Sequence, residues 1–255
     1  MDLGIRLSAV AALVQPAEVI ADVGCDHGYL SVFLTEQKRC KRVIAMDVNR
    51  GPLERAKETI LRSGFGDYIE TRLSDGLNKL TVGEAEGCVC AGMGGPLALR
   101  ILWNDREKVS KMQQVILQPQ SELWLVRRTL AAWGFVTEEE CMAYEDGKYY
   151  FMMRLLPPET FAQASCVNEA DEFLVNIITK EGLTKNLEKL AYEMYGEVNI
   201  TNKNPLLKEF LEKEHKRIQG IRSNLSSHGD SLRTGQRLWE IECEEEVLLY
   251  ALSCF

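Results

Sequence analysis

The sequence predicts an α/β fold: a doubly wound, mainly parallel sheet followed by a helical C-terminal extension. Three observations predict it. Short apolar runs alternate with amphipathic segments over residues 1–156, two extended runs close that region around Asp146-Gly147, and beyond Leu156-Pro157-Pro158 the pattern is helical throughout.

The N-terminal stretch carries Leu3, Leu7, Val10, Ala11 and Val14 at helical spacing, with Arg6 interrupting the apolar run. That marks an amphipathic helix rather than a secretory leader. Strands are predicted over Val19–Val23, Arg42–Asp47, Tyr68–Arg72, Gly87–Ala91 and Gln114–Gln118. Helices are predicted between them, over Tyr29–Glu36, Gly51–Ser63, Pro96–Asn104 and Ser121–Trp133. Val136–Tyr144 and Tyr149–Leu156 then form a hairpin, because Asp-Gly between extended runs favours a tight turn. The paired prolines mark a domain boundary, dividing 1–156 from 157–255. Beyond it, one long helix opens at Asn204-Pro205 and runs to about Ser226, and a second covers Leu232–Ser253. The turn Ser226-Ser227-His228-Gly229-Asp230 joins them into a helical, coiled-coil-like hairpin.

Composition narrows the function classes. No apolar stretch is long enough to span a membrane. The eight cysteines show no paired framework and no metal-ligand spacing, so free thiols in a reducing cytoplasm and no metal site are expected. Net charge is −8, with −2 in residues 1–156 and −6 in 157–255. Contact with a polyanion therefore requires a local patch. Lys38, Arg39, Lys41 and Arg42 supply one, and read equally as a solvated loop. Trp124, Trp133 and Trp239 sit at helical positions among apolar neighbours and are assigned to packing.

The chemistry gathers in loops that follow strands. Asp22-Val23-Gly24-Cys25-Asp26-His27-Gly28-Tyr29 follows the first strand, with Gly24 and Gly28 allowing a sharp turn and close approach to a ligand. A dinucleotide site needs G-x-G-x-x-G and a helix N-terminus free for pyrophosphate. Here Asp22 and Asp26 crowd that position; they repel pyrophosphate and suit the ammonium and sulfonium of S-adenosylmethionine (AdoMet). Asp47, with Val48 beside it, ends the second strand, where a carboxylate takes two ribose hydroxyls or instead caps the next helix. Asp75-Gly76 follows the third strand and either meets an adenine amino group or is an ordinary turn. After the fourth strand, Gly92-Met93-Gly94-Gly95 leaves little side chain above a methyl donor, so Gly92 and Met93 border the cofactor, and Gly94 and Gly95 a flat substrate base. The N-P-P-Y-like loop of many exocyclic-amino methyltransferases is missing. His27 is either an acid/base or a loop-stabilising hydrogen-bonding group.

These residues resemble the bacterial tRNA (adenine-22-N1)-methyltransferases, the TrmK family. The resemblance is carried by D-V-G-C-D-H-G-Y-L at 22–30, D-V-N-R-G-P-L at 47–53, R-L-S-D-G-L at 72–77, A-G-M-G-G at 91–95 and L-Q-P-Q at 117–120. The chain departs from the family pattern in Gly28 and Ser31, where Ala and Pro are usual, and in Gln120, where Asn is usual. The resemblance implies a Rossmann-like, seven-stranded AdoMet-dependent methyltransferase domain with a C-terminal helical domain, acting in the cytoplasm on tRNA with no obligatory protein partner. It also implies that a carboxylate, Asp26 first and Asp22 second, accepts a proton or orients the target amino group. Tyr29 stacks on the base or belongs to the core. Two other readings remain: a methyltransferase of a small molecule or protein, and a catalytically silent tRNA-binding module. A nicotinamide-dependent oxidoreductase is disfavoured by the absent phosphate-binding glycine pattern.

Overall fold

The structure is a computed structural model that describes residues 3–162, 180–226 and 232–255. The chain divides into two compact units, Met1–Cys166 and Val167–Phe255.

In the first unit the order is α1 (Gly4–Leu13), β1 (Ala17–Val23), α2 (Tyr29–Glu36), β2 (Cys40–Asp47), α3 (Arg50–Arg62), β3 (Ile69–Leu73), β4 (Gly87–Met93), α4 (Gly95–Asn104), α5 (Arg106–Val109), β5 (Gln114–Pro119), α6 (Leu123–Trp133), β6 (Val136–Glu145) and β7 (Lys148–Leu156). The seven strands form one sheet in the order β3-β2-β1-β4-β5-β7-β6. The first five run parallel and β7 joins β5 antiparallel. The predicted strands and helices are all present, with ends shifted by a few residues. At β4 the strand continues through Met93, with Gly92, at φ +81°, forming a bulge against β5.

Burial explains the pattern. β5 is buried along its whole length, and β1 from Ile20 onward, as expected of central parallel strands covered on both faces. The β6–β7 turn has φ +50° at Asp146 and +79° at Gly147, the signs of a tight type I′ hairpin. α1 docks on that hairpin: Glu145 Oε1 accepts the backbone N–H groups of Ile5 and Arg6, satisfying donors that a helix start leaves free. Buried Gln114 exchanges two 2.9 Å hydrogen bonds with the Gln15 backbone, tying the start of β5 to the α1–β1 connection.

The first unit continues past Pro157-Pro158. The Phe161 ring is buried against Trp103, Trp133 and Phe135, and the Ala162 N–H donates to Trp133 O at 3.2 Å. An aromatic anchor of this size outweighs the break in regular pairing that the prolines impose.

In the second unit the described helices are α7 (Lys180–Tyr195), α8 (Glu197–Thr201), α9 (Pro205–Ser226) and α10 (Leu232–Ser253). α10 packs on both α7 and α9. Leu207, Leu211 and Ile218 of α9, and Ile241, Val247 and Leu248 of α10, are buried. The predicted turn between the two long helices lies outside the described residues, apart from Ser226 as the last residue of α9. Among the described residues, no helix is long and apolar enough to cross a membrane.

One ion pair inside the first unit is fully desolvated. Arg127 Nε of α6 donates to Glu140 Oε1 of β6 at 2.8 Å, with both side chains less than a tenth exposed. Arg127→Ala removes the cationic partner of a buried carboxylate, so it should destabilise the unit by about 3–5 kcal/mol. A urea midpoint lowered accordingly in equilibrium unfolding checks this.

Candidate functional site

Parallel strands present their C-terminal ends on one edge, and the loops there enclose a cavity of about 340 Å³. It is lined by Asp22, Gly24, Cys25, Asp26, His27, Tyr29 and Leu30 from the β1–α2 region, by Arg6 and Leu7 of α1, by Ala91 and Gly92 of β4, and by Gln120.

The β1–α2 loop is held from below. The N–H groups of Gly24 and Cys25 both donate to Met46 O, at 2.8 and 2.9 Å. Asp26 takes a left-handed conformation at φ +45°, which Asp tolerates better than most side chains. Its N–H donates to Asp47 Oδ2 at 3.4 Å, and the other oxygen of Asp47 accepts the Asn49 N–H at 2.8 Å. Asp47 is thus buried at the end of β2 and joins the first two loops. Gly28 then starts α2 at φ +71°, where a Cβ would stand 3.1 Å from Ala56 Cβ and 3.3 Å from Ala56 O.

The charges are arranged unevenly. Asp22 is 3% exposed and accepts the Ser31 hydroxyl at 2.6 Å. Burial pushes its carboxyl up from 3.8 to about 6, partly offset by that hydrogen bond. Asp26 is exposed, 3.3 Å from Arg55 Nη2 and 3.6 Å from His27 Nε2. The His27 and Tyr29 rings stack at 5.5 Å with 15° between planes. Cys25 and Cys90 are thiols held protonated by burial and nearby acids or thiols, so neither is set up as a nucleophile. Among the described residues no cluster could hold a metal ion.

Of the residues the sequence pointed to, Asp22, Gly24, Asp26, His27, Tyr29 and Gly92 meet in the cavity. Gly28 and Asp47 stand just behind it as supports of its loop. Val48 and Asp75 are exposed beyond the lining, and Gly76 sits in a turn whose carbonyl accepts the Ser74 hydroxyl at 2.8 Å. Met93 and Gly94 are half-buried at the β4–α4 junction. Gly95 is buried, and a Cβ there would lie 2.6 Å from Ser121 O, so close packing at the start of α4 demands glycine. Lys38, Arg39, Lys41 and Arg42 lie at the opposite edge of the sheet, roughly 20 Å away along β2. Lys38, Arg39 and Lys41 border a larger open cleft of about 970 Å³ there, together with Glu18, Glu36 and Glu86. Lys41 pairs with Glu18 at 2.7 Å and Arg42 with Glu70 at 4.0 Å.

Sequence reasoning missed Arg6 and Gln120. Arg6 Nη1 donates to Gln118 Oε1 at 2.7 Å, and its guanidinium lies 5.6 Å from the Tyr150 ring centre. Arg6 carried a signal, a lone cation within an apolar helix, whereas Gln120 is an exposed residue just past the end of β5 whose type alone announced nothing.

Residues 3–153 match the protein family described as "Methyltransferase domain". The tRNA (adenine(22)-N(1))-methyltransferase of Bacillus subtilis is 27% identical over 248 residues, covering 97% of this chain and 96% of that protein. The crystal structure of the B. subtilis M1A22 tRNA methyltransferase TrmK superposes with a TM-score of 0.77 at 26% identity, covering 98% of this chain and 99% of that one. An uncharacterized protein from Listeria monocytogenes serotype 4b superposes with a TM-score of 0.82 at 25% identity, over 98% of this chain and 100% of that one.

Gly28 tests how the loop is held. Gly28→Ala adds a Cβ where both φ and the Ala56 contact oppose it, and should cost about 1–2 kcal/mol. A melting temperature lowered by several degrees is the expected reading.

Proposed function

The chain belongs to the methyltransferase-domain family, and on that premise we propose that it transfers a methyl group from AdoMet to N1 of the adenine at position 22 in tRNA. The observation that carries this reading is kinship along nearly the whole chain, through both units, with the B. subtilis enzyme of that activity. In this reading the first unit, residues 1–166, is the catalytic domain, and the second, 167–255, the helical domain that engages tRNA, in the cytoplasm.

The cavity fits the cofactor. Two carboxylates, Asp22 and Asp26, face a space floored by the backbone of Gly24 and Gly92, which suits a cationic ligand that needs close backbone approach. Bound there, AdoMet supplies an electrophilic methyl group on a sulfonium. Asp47, Val48, Asp75 and Gly76 hold its adenosine, and Asp22, Gly24, Asp26, His27, Gly28, Gly92 and Met93 its methionine end. N1 of adenine already carries a lone pair, so the protein's task is alignment rather than deprotonation of the attacking atom. Asp26, exposed at the cavity wall, accepts a hydrogen bond from the adenine amino group and so raises electron density at N1. Tyr29, 42% exposed and already stacked on His27, offers a face for the base.

tRNA contacts are proposed at Lys38, Arg39, Lys41 and Arg42. A tRNA is large enough to reach both edges of the sheet, but the pairing of Lys41 and Arg42 with acids weakens their pull on phosphate. In the helical unit Arg217 pairs with Glu214 and Arg222 with Glu245, while Lys208 and Lys216 are exposed.

Incubation of the purified chain with AdoMet and a tRNA transcript, followed by nucleoside mass spectrometry, should yield 1-methyladenosine at position 22. A transcript carrying guanosine at that position should yield none. Asp47→Ala should weaken AdoMet binding by about tenfold or more by calorimetry. Methylation of a small molecule or protein with tRNA left untouched would overturn the reading, and so would tight tRNA binding without methyl transfer.

Asp22 adds a pH signature. Because its folded pKa is raised, its contribution to folding stability falls as pH rises from about 4 to about 6, the reverse of an ion-paired acid. AdoMet affinity should move the other way, dropping as pH falls through about 6 and the carboxylate facing the cation is neutralised. Asp22→Asn should flatten that dependence, read by calorimetry between pH 5 and 8.

A further inference from the structure

The ends of β4 and β5 leave a bare patch in the cavity floor. A Cβ on Gly92 would lie 3.6 Å from Arg6 Nη1 and 3.8 Å from Gln120 Nε2, so the absent side chain opens a flat surface with these two polar groups at its edges. The two are held differently. Arg6 commits Nη1 to Gln118 Oε1 and lies against Tyr150. Gln120 is fixed through its backbone: its N–H donates to Met93 O at 2.9 Å, and Pro119 before it restricts the chain. The next residue is anchored too, since Ser121 Oγ accepts the Gly95 N–H at 3.3 Å. The Gln120 side chain is exposed and lines the cavity alongside Asp26 and Tyr29.

We propose that Gln120 identifies the acceptor base as adenine by pairing its amide with N6 and N7. This rests on the tRNA-adenine reading above and names the residue that enforces it. A primary amide presents one acceptor and one donor side by side. The adenine edge opposite N3 presents the complement, the N6 amino donor and the N7 acceptor. Guanine offers two acceptors, O6 and N7, on that edge, so the amide carbonyl would face O6. With N6 and N7 engaged, N1 stays free on the far side of C6 to meet the methyl group. Gly92, beside the methionine end of the cofactor, puts no side chain between that end and the ring that Gln120 holds. Asp26 and Tyr29 reach the base from the β1–α2 region, and Gln120 reaches it from the end of β5.

Gln120 touches no reacting atom in this arrangement; it is a positioning residue. The test uses the full chain and two tRNAs that differ in one atom, carrying adenosine or 7-deazaadenosine at position 22. The wild-type protein should lose at least about fivefold in kcat/KM on the 7-deaza tRNA, the loss of one half of a bidentate contact. Gln120→Ala should lose at least as much on the unmodified tRNA and nothing further on the 7-deaza tRNA. Gln120→Glu keeps the shape but offers only acceptors, and should behave as Ala does. AdoMet affinity should be unchanged in both variants. A wild-type protein indifferent to the N7 atom overturns this inference alone, as do variants that still discriminate against 7-deazaadenosine. A wild-type protein that leaves the unmodified tRNA unmethylated overturns the tRNA reading with it.

Discussion

The parallel pairing of β1 with β2 on one side and β4 on the other is the constraint on which the rest of the structure depends. Parallel strands must be joined by crossovers, made by helices except between β3 and β4, where a loop returns the chain to the far edge. All strand-to-helix loops of the parallel part therefore emerge on one side. Residues far apart in sequence, Asp22, Asp47, Gly92 and Gln120, end on the same edge because the strands that carry them point the same way. The loops are then clipped to each other by hydrogen bonds from Gly24 and Cys25 to Met46, and from Asp26 to Asp47.

That edge concentrates acids in a setting where they cannot all be comfortable. Asp22 is buried with hydrogen bonds from the Ser31 hydroxyl and backbone, and its raised pKa records the cost of burying its charge. A cationic ligand lowers that cost on arrival, which couples binding to the ionisation of a group the fold alone leaves poised. The basic cluster at the opposite edge is built the other way. Its cations sit in water and are partly answered by Glu18 and Glu70, an arrangement worth little in stability.

The helical unit follows a different rule. Its acidic excess does not prevent cations from being displayed, because α9 alternates buried leucines with exposed lysines. One nearly buried carboxylate, Glu245, gathers Arg222 at 2.6 Å and His215 at 3.2 Å and links α9 to α10. Charge balance over a whole domain therefore says little about which groups reach solvent.

The sequence by itself determined the fold and the half of the site contributed by the β1 loop. The alternation of apolar runs located the strands, Asp146-Gly147 located the hairpin, and glycines beside acids after strands marked Asp22, Gly24, Asp26 and Gly92, because such signals are local. Tertiary structure alone decided the opposite wall. Arg6 and Gln118 are 112 residues apart, and nothing near either announces that they meet; only the docking of α1 on the hairpin brings them together. Three dimensions likewise gave Gly28 and Gly95 their reasons, a helix neighbour in one case and a loop carbonyl in the other. They also set Lys38–Arg42 apart from the cavity. Periodicity and turn chemistry act over a few residues and can be read along the chain, whereas the partners of a side chain across a packed sheet are chosen by the fold.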